Sequence, residues 1–134
     1  MEERKIILKM IVEIVGAPKD HVDETLKKVV EKLKSEFKVH KEEIYEAENV
    51  EKFWSAFTEV ELELNNIDQL VELCFSYMPS SIEIIDPIEF KIKVNDINNM
   101  LNDLMAKLHQ NDMIIKNLVA ENTLINRELG KKQN

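Results

Sequence analysis

The chain has 134 residues and a net charge of −8, enough for one packed core or for a small domain plus an extended element. That charge excludes a free-standing nucleic-acid clamp, which needs a basic face, and an apolar fraction of 44% excludes a disordered chain. The single cysteine, Cys74, allows neither an intrachain disulfide nor an all-cysteine metal cage, and two glycines leave little material for phosphate loops.

Met1–Lys5 is charged, and the apolar run after it is broken by Lys9 and Glu13. No signal peptide is expected, and no stretch approaches the roughly 18 apolar residues of a membrane helix. A cytosolic protein with no membrane attachment is the expectation.

Residues 5–15 alternate, with Ile6, Leu8, Met10, Val12 and Ile14 on one face and the mixed set Ile7, Lys9, Ile11, Glu13 and Val15 on the other. This predicts a central strand with one buried side. Gly16-Ala17-Pro18 ends it, and Pro18 suits the first turn of a helix over 18–36. Val22, Leu26, Val29, Val30 and Leu33 recur there at helical spacing, acids come early and lysines late, and that polarity complements the helix dipole. Residues 37–47 read as a strand and 48–54 as a connection. Residues 56–64 alternate Thr58, Val60, Leu62 and Leu64 against Phe57, Glu59, Glu61 and Glu63, so one side of this strand faces water. Asn65-Asn66 can cap the next helix. Its expected stripe is Ile67, Leu70, Val71, Cys74 and Met78, stopped by Pro79-Ser80-Ser81. Residues 82–85 and 88–94 both read as strand, parted by Asp86-Pro87, which implies an edge strand or a bend.

The order β-α-β-β-α-β is that of a ferredoxin-like α+β sandwich, with the first and third strands central and both helices on one sheet face. Residues 1–94 form this domain. They hold the whole net charge of −8, whereas residues 95–134 are neutral and carry most of the chain's asparagines.

Residues 96–129 carry the clearest pattern. Asn95 is read as the N-cap and Gly130 as the stop. Between them Ile97, Leu101, Leu104, Leu108, Asn111, Ile115, Leu118, Asn122, Ile125 and Leu129 recur in alternating steps of four and three. That is a heptad seam, which predicts a coiled-coil helix in residues 95–134. Such a helix would be roughly 50 Å long, against a domain radius of gyration of about 12–13 Å. Its stripe therefore needs a partner, and a second copy of the same helix is the expected one, most simply in a homodimer; the apolar flanks Met100, Met105, Ile114 and Val119 favour either contact with a globular domain or a higher oligomer. Parallel pairing sets Asn111 and Asn122 against their own mates; antiparallel pairing sets Asn111 against Asn122. Both satisfy the amides. The competing arrangement is a helix folded back over an open sheet face.

Chemical constellations are thin. His21, His40 and His109 lie in separate elements, and His109 with Asp112 reads as a solvated helix face. Cys74 reads as a small buried hydrophobe. The acidic residues of 42–63 read as a solvated face, able to bind cations or meet a basic protein surface. Glutamates where an RNA-recognition domain has stacking aromatics argue against nucleic acid. Phe53, Trp54 and Phe57 read as core. Tyr77, Met78, Ser80 and Ser81 form a turn whose hydroxyls and amides could receive a small anion. No catalytic residues, cofactor or metal site are expected.

Gly16-Ala17-Pro18, Tyr77-Met78-Pro79-Ser80-Ser81-Ile82-Glu83 and Lys107-Leu108-His109-Gln110 through Ala120-Glu121-Asn122 resemble a group of small archaeal proteins of uncharacterised function. The resemblance spans most of the chain. It implies an archaeal, cytosolic origin and supplies no active-site residues. The functional expectation is a non-enzymatic assembly module that self-associates through its C-terminal helix. The alternative is a regulatory module that senses a small molecule between subunits near residues 77–83.

Overall fold

In the computed structural model, which describes residues 5–133, the chain forms an α+β unit reaching to Phe90 and a second unit starting at Lys91. The first contains β1 (Ile6–Gly16), α1 (Lys19–Glu36), β2 (Lys38–Ile44), β3 (Glu48–Val50), β4 (Phe53–Leu64), α2 (Ile67–Tyr77) and β5 (Ser81–Asp86). The second is one helix, α3 (Val94–Gln133).

The sheet is antiparallel in the order β2-β4-β1-β5, with β3 paired to β4. β1 and β4 run the length of each other, from Ile6 opposite Leu64 to Gly16 opposite Trp54. This register puts Ile6, Leu8, Met10 and Val12 beside Leu64, Leu62, Val60 and Thr58 on one face, all buried. The strict alternation makes that match compulsory, since a slip of one residue would carry glutamates into the core. Leu33 of α1 and Leu73 of α2 close over this face. A second cluster joins Val22 and Leu26 of α1 to Ala47 and Ala56, with Trp54 packed against it. Thr58, the buried polar side chain of this face, donates its hydroxyl to the Glu43 carbonyl at 2.8 Å, so its burial leaves no unmet donor.

The helix ends follow their capping chemistry. Asn66 caps α2 by accepting the Gln69 N–H at 2.9 Å. Phe37 starts no strand; its N–H caps the Leu33 carbonyl at 2.8 Å. Met78 ends α2 in the left-handed region, φ 45°, with its N–H on the Cys74 carbonyl.

Several expectations change. The stretch 48–54 is not a plain connection: Glu48–Val50 pairs with Phe53–Ser55 across the two-residue turn Glu51-Lys52, with Glu51 at φ 56°, so β4 starts at Phe53. Residues 88–93 are not a strand. Asp86 already pairs with Ile7, one residue from the start of β1, so the chain beyond Pro87 has no ladder to join. The α2 stripe is Ile67, Leu70, Leu73 and Tyr77; the left-handed cap turns Met78 out, 70% exposed. Finally, α3 begins at Val94 and continues through Gly130 to Gln133. The first α3 bonds run from the N–H groups of Asp96 and Ile97 to Lys93, so Asn95 lies within the first turn rather than at the cap. Lys131 and Lys132 then sit at the negative end of the helix dipole.

Candidate interaction surfaces

α3 is forty residues long. Along its heptad positions Leu101, Leu104, Leu108, Ile115, Leu118, Ile125 and Leu129 all stand exposed, between 39% and 58%. Ile97 and Asn111 are partly covered, and Asn122 is exposed. On the polar side Lys116 pairs with Asp112 at 2.9 Å, one turn apart, and Thr123 returns its hydroxyl to the Val119 carbonyl. Exposed aliphatic residues recurring along one line, beside the Lys116–Asp112 ion pair, are what an association surface requires.

The second surface is the open sheet face. Pairing assembles it in rows across the strands. Lys41, Glu61, Lys9 and Glu83 form one row, and Glu43, Glu59, Ile11 and Ser81 the next. Lys9 bonds Glu59 at 3.0 Å, Lys5 bonds Glu63 at 3.3 Å, and His40 lies 3.5 Å from the same Glu63. The glutamates of 42–63 are thus interleaved with lysines from other strands, which a linear reading of that segment does not reveal. The hydrogen bond and charge of Glu59 raise the Lys9 pKa. Burial pushes Glu63 upward, but Lys5, Lys38 and His40 outweigh it and hold its carboxyl below the usual range.

One end of this face is apolar. Phe57 stacks on Tyr45 with ring centroids 4.4 Å apart, and Phe53, Val50 and Val15 extend the patch, all three more than half exposed. The aromatic trio therefore splits: Trp54 packs toward the core with Lys19 over its ring, while Phe53 and Phe57 face outward, because neighbours in a strand point to opposite sides. Glu43, with its negative charge close by, raises the Tyr45 pKa.

The turn after α2 is tightly bound. Ser80 donates both its N–H, at 2.8 Å, and its hydroxyl, at 3.2 Å, to the Ile11 carbonyl. Ser81 enters β5 opposite Ile11. Tyr77 lies edge-on to Phe37 with Lys32 over its ring, and among the described residues its buried Oη has no hydrogen-bond partner. Burial, with Glu36 adding negative charge, pushes its hydroxyl up to about 12. Cys74 is partly buried, and burial pushes its thiol up as well, the opposite of what a nucleophile needs.

Among the described residues no cluster of His, Cys, Asp and Glu is arranged to hold a metal ion, and no helix is long and apolar enough to cross a membrane.

No curated protein and no solved structure matches the chain. A family model does, over residues 7–132, running from β1 through almost all of α3; the chain therefore belongs to the MJ0538 family.

Proposed function

We propose that this protein is a non-enzymatic assembly module. α3 pairs with α3 of a second copy as a coiled coil, giving a homodimer, and the sheet unit is what the pair presents to a protein partner through its acidic open face. The unit is read as a ferredoxin-like βαββαβ frame, with β3 as a short addition to its second connection; the order β2-β4-β1-β5 supports this reading.

The observation that carries the proposal is the exposed seam. Seven aliphatic residues, on a seam whose ten positions step alternately by four and three, stand between 39% and 58% open on one helix. Burying them against a second copy removes apolar area from water at about 25 cal/mol per Å². Asn111 and Asn122 interrupt the seam; such residues fix register at some expense in stability. The match to one family model over both units supports treating helix and sheet as parts of one design. A ligand-sensing turn at Tyr77–Glu83 has weaker support, since Ser80 spends both its donors on Ile11.

Light scattering on Leu108→Asp/Leu118→Asp tests the proposal. The variant should be a folded monomer where the parent is a dimer. A variant that keeps the parent's mass would remove the seam from the account.

A further inference from the structure

We infer that the two α3 helices pair parallel and in register. This rests on the assembly reading above and adds its geometry. With Leu101, Leu108, Ile115, Asn122 and Leu129 as a positions, the d positions are Ile97, Leu104, Asn111, Leu118 and Ile125. The seam itself leaves two solutions, because an in-register parallel pair matches each asparagine with its own mate, and an antiparallel pair centred between Asn111 and Asn122 matches one with the other. The flanking residues separate them.

The g positions hold Met100, Lys107, Ile114, Glu121 and Glu128, and the e positions hold Met105, Asp112, Val119, Asn126 and Gln133. In a parallel pair each g residue meets the e residue five places further along the mate. Met100 then meets Met105, Lys107 meets Asp112, Ile114 meets Val119, and Glu121 meets Asn126. Apolar meets apolar, opposite charges meet, and no carboxylate is set against an aliphatic side chain. Met105, Ile114 and Val119 are about half exposed on α3, so this pairing also covers apolar surface beyond the seam. Asp112 holds Lys116 of its own helix through Oδ2, leaving Oδ1 for the mate's Lys107.

The antiparallel pair brings g against g and e against e. It keeps one favourable contact, Lys107 with Glu128, but sets Ile114 against Glu121 and Val119 against Asp112, twice each by symmetry. Each of those contacts desolvates a carboxylate against an aliphatic chain. Parallel registers slipped by one heptad fare no better, because they bury both asparagine amides against leucine or isoleucine. The consequence is that both sheet units attach at the same end of the pair.

Cysteine cross-linking distinguishes the arrangements. In a Cys74→Ala background, Leu104→Cys and Leu129→Cys are oxidised separately and as an equilibrated mixture. Parallel pairing predicts that each variant links efficiently to its own copy. In the antiparallel pair like positions lie about 37 Å apart, and only the mixture links, Leu104→Cys to Leu129→Cys; that result overturns the inference while leaving assembly intact. A parent chain that sediments as a monomer overturns both. A charge swap gives a second reading that needs no seam substitution. Lys107→Asp should raise the dimer Kd about threefold or more, and adding Asp112→Lys should restore it. No rescue contradicts parallel pairing, since only that geometry brings these two positions together.

Discussion

At the scale of single residues, the strand faces are legible in the sequence, whereas one turn of helix is not. Ile6, Leu8, Met10 and Val12 fall on the buried side of β1, because a period of two admits only two assignments. The stripe of α2 is harder to read, since Leu70, Val71, Leu73 and Cys74 offer two overlapping faces. Packing against the sheet decides between them: Leu73 enters the core cluster, with Ile67, Leu70 and Tyr77 against it. Leu73→Ala should therefore lower unfolding stability by about 2–5 kcal/mol in urea titrations, while Met78→Ala should change it by less than about 0.5 kcal/mol. Tyr77 supplies a test with a pH signature. Its buried hydroxyl lacks a partner among the described residues, so Tyr77→Phe should leave stability unchanged or slightly higher. A tyrosine pushed up to about 12 in the folded state binds its proton more tightly there than in the unfolded chain. Its contribution is thus complete below pH about 10 and is lost as pH rises toward 12. Denaturation across that range should show a steeper alkaline decline in the parent than in Tyr77→Phe.

Among elements, α1, β1, β4 and the existence of α3 can be read from periodicity alone; the boundaries that resist are those set by partners distant in sequence. Residues 88–94 alternate as well as any strand, yet strand formation needs a ladder, and β1 has already ended opposite Asp86. Glu48–Val50 shows little alternation and becomes β3 because β4 lies one tight turn away. The open-face surface was half legible. Its glutamates alternate visibly along β4, but Lys9 opposite Glu61 and Tyr45 against Phe57 depend on register. α3 makes its own prediction. A peptide of residues 91–134 should gain helicity with concentration, because a seam asks for a second strand whereas an isolated helix does not. Helicity that is independent of concentration in far-UV circular dichroism would contradict this. The complementary fragment, residues 1–90, should unfold cooperatively, since the core clusters draw on β1, α1, β4 and α2.

For the whole molecule, the chain is a sheet unit with two helices on its covered face, followed by a forty-residue helix. Among the described residues no group of His, Cys, Asp and Glu is arranged to hold a metal ion, and burial pushes the Cys74 thiol up. What the molecule does offer is surface: an aliphatic line along α3, and a charged sheet face with an aromatic corner at Tyr45, Phe53 and Phe57. The central claim is that the α3 line is covered by another copy. Sedimentation equilibrium of the full chain at micromolar concentration tests it most directly. The account predicts a species of twice the 15.7 kDa chain mass that dissociates on dilution; a single-chain mass throughout the concentration range would contradict it.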